Sequence, residues 1–300
     1  MKTSIPKIDI YTRVTNQIVA AMEAGVRPWY QPWKSGVGAG TLSRPLRLNG
    51  IPYRGINVLL LWNEAQDKGY SGNVWMTYKQ AEGLGAHVRK GEHGTMVVYA
   101  NTVTKTETDD QGDEVEQSIP FLKAYTVFNI AQVENLPADL TPQRVDETGT
   151  MELLEEPEEF FRATGACFRH GGSRAFFAPG ADFIQLPDPQ SFKDPASYAA
   201  TKAHELAHWT GHKDRLAREF GLRFGDAAYA FEELVAELSS AFLCADMGIS
   251  AEPREDHAAY LSSWLQVLKQ DKKAIFSAAS HAQKAVDFLH DLVEANACCV

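Results

Sequence analysis

Apolar positions recur at helical spacing over Ile8–Ala24, where Ile10, Val14, Ile18, Val19 and Met22 share one face and Gly25 follows as a stop. The same periodicity predicts a helix over Asn57–Lys68 closed by Gly69, and another from Thr77, whose spacing to Gln80 is that of a capping box. Between the first two lies a Pro- and Gly-rich stretch, Arg27 to Gly40, that reads as loop. Runs rich in Val, Tyr and Phe then predict strands over Thr95–Val103 and Phe121–Ile130, with the polar insert Thr104–Ser118 as a long hairpin loop. Apolar density falls over residues 136–156, which read as a linker. Beyond it come a short helix, Glu158–Thr164, and three short strands, Ala166–Arg169, Arg174–Ala178 and Phe183–Leu186. Helices follow over Pro195–Gly211, Asp226–Met247, Arg254–Leu268 and Lys272–Glu294. The expected fold class is therefore α+β: an α+β module over 1–135, the linker, and a mostly helical module over 157–300 with a short β-sheet.

Composition narrows the class. At 300 residues, 44% apolar and 23% charged, the chain has enough apolar side chains for folded cores, which excludes disorder throughout. The longest tight apolar cluster, Val58–Trp62, is far short of the ~18 residues a membrane span requires. Residues 1–25 carry no signal-peptide apolar block, so the chain is expected in the cytoplasm. Its four cysteines form no Cys-x-x-Cys pair, and the pair Cys298–Cys299 is most simply a reduced terminus. Charge is uneven. Residues 1–100 hold 12 Lys/Arg against 6 Asp/Glu, a net of +6, so within the total of −10 the remainder carries −16. A basic module favours a polyanion, although a merely solvated basic face has the same composition.

The chemistry concentrates in His204-Glu205-Leu206-Ala207-His208. Two histidines four residues apart project about 40° from one another on a helix, so both imidazoles can reach one Zn²⁺. Glu205 sits one step round, where it can take the proton of an activated water. A catalytic site of this kind needs a third protein ligand. Glu233 and Glu237 lie at i, i+4 beside the apolar stripe Leu234, Leu238, Ala241 and Phe242, where unrelieved carboxylates are expensive. Glu233 is expected as the third ligand, and Glu237 as hydrogen-bond partner of a ligating imidazole. Asp214 is the alternative ligand, if Gly211 turns the chain sharply after the second histidine. The Arg174–Leu186 hairpin could pair with an extended peptide, and Tyr229 and Tyr260 are both candidates to donate to a substrate oxygen. The expected ion is Zn²⁺, with Mn²⁺ or another divalent cation able to use the same donors.

Several ordered blocks extend this picture: Pro28-Trp29 with Pro32-Trp33, Tyr53 to Trp62, Trp75 to Ala81, Val88 to Glu92, Val127-Phe128-Asn129, His204 to His212 and Glu232 to Glu237. Through them the chain resembles the ArdC family of conjugative-plasmid antirestriction proteins, related to the primase-associated TraC proteins. The resemblance implies an N-terminal domain that binds single-stranded DNA and a C-terminal zincin-like metallopeptidase domain, protecting incoming plasmid DNA from host restriction. It maps the family's metal site onto His204, His208 and a glutamate of the 232–237 block, with Glu205 as general base.

The first module's residues agree with a DNA role. All ten aromatics of residues 1–100 are Tyr or Trp, interleaved with Lys and Arg; bases stack on rings while cations follow phosphates. Arg44, Arg47, Arg54, Lys79, Arg89 and Lys90 are the expected phosphate contacts, with Trp29, Tyr53 and Tyr78 as stacking residues. Two functions then compete. One is a DNA-tethered zinc metallopeptidase acting on an unidentified protein substrate, such as a restriction-system or DNA-bound protein. The other is a non-catalytic binding protein that shields DNA by occupancy, its metal a structural staple. A nuclease is the weaker option, because two-metal nucleases favour clustered carboxylates.

Overall fold

The computed structural model describes residues 9–29, 43–70, 72–108, 114–140, 155–221, 226–249 and 257–297. Residues 30–40 of the expected Arg27–Gly40 loop, most of the expected linker (141–154) and the Cys298–Cys299 pair lie outside these residues.

The N-terminal half opens with α1 (Ile10–Glu23), capped by the Asp9 side chain accepting from the Thr12 amide. β1 (Leu46–Arg47) leads to α2 (Ile56–Lys68), which ends on Gly69 at φ 67°, the left-handed position a glycine occupies without cost. Next come β2 (Val74–Met76) and α3 (Tyr78–Gly83), where the Thr77/Gln80 capping box forms as expected. β3 (His87–Val88), β4 (Thr95–Thr108), β5 (Glu114–Asn129) and β6 (Val133–Glu134) complete this half. β1, β2, β5 and β4 form one sheet in that order, and β3 pairs with β6.

The β4–β5 hairpin corrects one expectation. The insert read as loop is mostly ladder, with pairs running from Thr104↔Ser118 out to Thr108↔Glu114. Its alternating polar residues leave no apolar face, so the pattern that betrays a half-buried strand is absent, while its β-branched residues still suit the pleat.

In the C-terminal half, α4 (Glu155–Ala163) starts inside the expected linker. β7 (Phe168–His170), β8 (Phe176–Ala178) and β9 (Phe183–Leu186) form a sheet ordered β7-β9-β8, leaving β8 at an edge. Four helices follow: α5 (Pro195–Thr210), α6 (Ala227–Asp246), α7 (His257–Gln270) and α8 (Ala274–Ala297). α6 packs against α5, α7 and α8. Among the described residues no helix is long and apolar enough to cross a membrane.

The halves are not separate cores. α1 packs on α7 and α2 on α8. One apolar cluster runs from Val14, Ile18 and Leu59 through Trp62 to Leu206, Phe242, Trp264 and Ala278. Burial is roughly proportional to apolar area removed from water, so the continuous cluster ties the two halves together energetically.

Candidate metal centre

α5 and α6 bring the expected donors together. One ligand atom each from His204, His208 and Glu233 lies within 4.8 Å of the other two. The Glu233 carboxylate stands between the rings, with Oε2 3.6 Å from His204 Nε2 and Oε1 3.6 Å from His208 Nε2. All three side chains are nearly buried, at 7%, 11% and 11% exposure, yet they line one end of an open cavity of about 490 Å³. Two imidazoles and a carboxylate converging on one point fit a divalent cation with an open coordination position. Glu205 is buried and lines the same cavity without joining the converging set. Tyr229, Tyr260, Phe177 and Phe220 line its walls, together with the stretch from Ser173 into the edge strand β8.

The outward nitrogens of both imidazoles face carboxylates. Glu232 Oε1 lies 3.2 Å from His208 Nδ1. Arg218 holds Glu232 in turn through its Nε and Nη2, 2.9 and 2.8 Å from the two carboxylate oxygens, and also donates to the Ala207 carbonyl and the Thr210 hydroxyl. Burial favours a neutral His208, but the bond to Glu232 and the charge of Glu233 outweigh it and raise the imidazole pKa. Burial likewise opposes ionisation of Glu233, yet His204, His208 and a hydrogen bond from Tyr229 hold its pKa down at about 2. Glu237 Oε2 lies 3.8 Å from His204 Nδ1, beside the imidazole but beyond hydrogen-bonding distance, while Trp29 Nε1 donates to Glu237 Oε1 at 3.3 Å.

Asp214 is not part of the cluster. Its side chain is 73% exposed and pairs with His212 at 3.5 Å. The chain does turn at Gly211, but the Leu216 amide donates back to the Thr210 carbonyl and the Arg215 guanidinium to the Trp209 carbonyl, folding the segment over the end of α5 instead of across the metal face. Gly211, at φ −77°, is needed for room: a Cβ there would sit 2.8 Å from the Arg218 guanidinium and the Phe220 ring.

Several residues expected on DNA are engaged elsewhere. Arg44 is 6% exposed, forks onto Asp246 at 2.7 and 3.0 Å and lies over the Phe242 ring. Trp29 and Tyr53 are buried, the first against Trp264 and the second beneath Arg47. A long side chain with a buried ionic partner, or a ring inside a core, is unavailable to a nucleic acid. Arg54 pairs with Asp287 and Arg89 with Glu92, although both remain partly exposed. Arg47, Lys79, Lys90 and Tyr78 stay exposed. The sequence reading missed Glu232 and Arg218. Glu232 was signalled by its place beside Glu233, whereas Arg218 lies outside any periodic segment and had no signal.

Comparison with known proteins agrees with this architecture. Residues 8–128 match the family model of the N-terminal domain of anti-restriction factor ArdC, and residues 155–281 match that of a zincin-like metallopeptidase. An uncharacterized protein, y4eC, of Sinorhizobium fredii is 42% identical over 94% of this chain and 92% of its own length. A DNA primase TraC of Escherichia coli is 38% identical over 94% of this chain, which spans only 27% of that primase. The metal-free crystal structure of the antirestriction protein ArdC from the R388 plasmid superposes with a TM-score of 0.80 at 43% identity, covering 96% of this chain and 98% of that one. Its Mn(II)-bound structure gives a TM-score of 0.77 at 42% identity, covering 95% and 98%. With a relative of this identity matched over almost its whole length, and both halves of the architecture in order, the chain belongs to the ArdC family of antirestriction proteins.

Proposed function

We propose that this protein binds single-stranded DNA in the cytoplasm and hydrolyses a peptide bond in a protein near that DNA, protecting incoming plasmid DNA from restriction. The observation that carries the enzymatic half is the convergence of His204, His208 and Glu233 at a cavity that Glu205 also lines. A divalent ion on those three donors would act as a Lewis acid, polarising the scissile carbonyl and acidifying water. Glu205 accepts the proton of the attacking water and returns it to the leaving amine. The exposed edge of β8 offers main-chain groups to an extended peptide, and Phe177 and Phe220 receive an apolar side chain. The Mn(II)-bound R388 relative supports a divalent ion here, with Zn²⁺ the expected resident by donor chemistry.

For DNA, Tyr78 remains available among the expected rings, and rings on the β4–β5 hairpin join it. On one face of the β4–β5 hairpin, Tyr99 pairs with Lys123, Asn101 with Phe121 and Val97 with Tyr125. Tyr99 is 49% exposed and Tyr125 37%, and Lys123 lies over Phe121. Exposed rings alternating with cations form a stacking platform of the kind unpaired strands use.

Protection by occupancy, with the metal as a staple, is the second reading, favoured by the burial of His204 and Glu233 and by the hydrogen bond from Trp29 of the other half to the neighbouring Glu237. Glu205→Gln separates the two. The variant keeps all three ligands and is expected to retain the ion while losing both proteolysis and protection, by at least ~100-fold. Full protection from a folded, metal-loaded Glu205→Gln protein would overturn the enzymatic reading.

A further inference from the structure

Trp29 sits in the N-terminal half, yet it reaches the candidate metal cluster by two routes. Its indole N–H donates to Glu237 Oε1 at 3.3 Å, and the other oxygen of that buried carboxylate lies 3.8 Å from His204 Nδ1. Its ring meets Trp264 at 6.0 Å, Trp264 stacks on Tyr260 at 6.0 Å and an interplanar angle of 17°, and the Tyr260 hydroxyl lies 3.2 Å from that of Tyr229. Tyr229 in turn lines the same cavity as Glu233. One route ends beside each of two of the three converging donors. Trp29 is 2% exposed and Trp264 1%, so neither ring can drift without opening the core.

From this geometry we infer that Trp29 is a positioning residue for the metal centre, acting through Glu237 on His204 and through the aromatic ladder on Glu233, so that metal affinity depends on docking of the N-terminal half. The physical ground is that partners of the ligands set imidazole orientation and basicity, and their loss typically costs ~10–100-fold in metal affinity. The indole donor holds Glu237 Oε1 and so sets where the charged Oε2 stands, 3.8 Å from His204 Nδ1, and a phenylalanine at position 29 would keep the packing while removing that donor. The inference rests on the metal reading above, and the two fail differently.

The test is metal affinity of the full-length apoprotein, measured by competition with a chelating dye for Zn²⁺. Trp29→Phe is expected to weaken binding about tenfold, and Trp29→Phe/Glu237→Gln to be no weaker than Glu237→Gln alone. Trp62→Phe is the control: it removes another buried indole donor, to the Ser43 carbonyl at 3.0 Å, and should leave metal affinity unchanged. Equal affinity of Trp29→Phe and wild type, additive losses in the double variant, or a matching loss in Trp62→Phe would overturn the inference while leaving the metal site standing. Absence of Zn²⁺ binding by the wild type would overturn the metal reading itself. Should Trp29→Phe not fold, the indole N–H resonances of the wild type decide. Zn²⁺ should shift that of Trp29 and not that of Trp62, and a Trp29 resonance unmoved by the metal would overturn the inference.

Discussion

Glu232 and Glu233 are adjacent on α6 and meet different partners because a helix turns ~100° per residue. Glu233 points between the two Nε2 atoms, whereas Glu232 reaches round to His208 Nδ1 and is itself held by Arg218. The carboxylate–imidazole pair fixes which His208 nitrogen is left for a metal and keeps the ring basic. Replacing Glu232 with Gln removes the negative charge at nearly constant shape. Metal affinity is then expected to fall ~10-fold or more in a chelator competition, and an unchanged affinity would show that the pair does not orient the ligand. The shared face of the two histidines was legible from residue spacing alone, since i, i+4 positions share a helix face regardless of the remainder of the chain, whereas Glu233 could only be nominated, because its meeting with them depends on how α6 packs on α5. Arg218 was not legible, because its role depends on a loop folding back over the end of α5.

At the scale of elements, the helices followed the apolar periodicity closely, with ends a few residues from those expected where caps such as Asp9, Thr77 and Asp194 are explicit in the sequence. The outer part of the β4–β5 hairpin did not, since the polar run Thr104–Ser118 carries no apolar alternation to read. The same hairpin carries the exposed rings of Tyr99 and Tyr125. Removing Tyr99 and Tyr125 together by alanine substitution is expected to weaken single-stranded DNA binding by about 1–3 kcal/mol per stacked base lost, read in a fluorescence-anisotropy titration. Lys123→Ala should instead reduce the salt slope by about one unit. Binding that ignores both changes would place the interface elsewhere on the molecule.

Across the whole molecule, the two halves are joined by polar contacts as well as by the shared core. Arg44 forks onto Asp246 of α6 and donates to Gln283 of α8, Arg54 pairs with Asp287, and the Thr15 hydroxyl donates to the Lys272 carbonyl. Arg44→Ala leaves Asp246 and Gln283 without their guanidinium in a mostly buried site. It is expected to lower unfolding stability by about 3 kcal/mol in urea denaturation while leaving the salt slope of DNA binding intact. A lost salt slope with intact stability would return Arg44 to the phosphate backbone. Charge and aromatic counts could not separate these roles, because a basic residue reads the same in a sequence whether its partner is a phosphate or a carboxylate two hundred residues away.

By itself, the sequence determined which groups share a helix: two imidazoles and Glu205 on α5, an acidic stripe of Glu233 and Glu237 on α6, and the order of the elements carrying them. Local periodicity is enough for that, since it sets which side chains share a face. Only the tertiary structure decided which acids meet which imidazoles, that Asp214 faces solvent, and that Trp29, Tyr53 and Arg44 belong to the interior. Those outcomes depend on desolvation, and whether a ring or a charge is withdrawn from water is settled by what packs over it from distant parts of the chain.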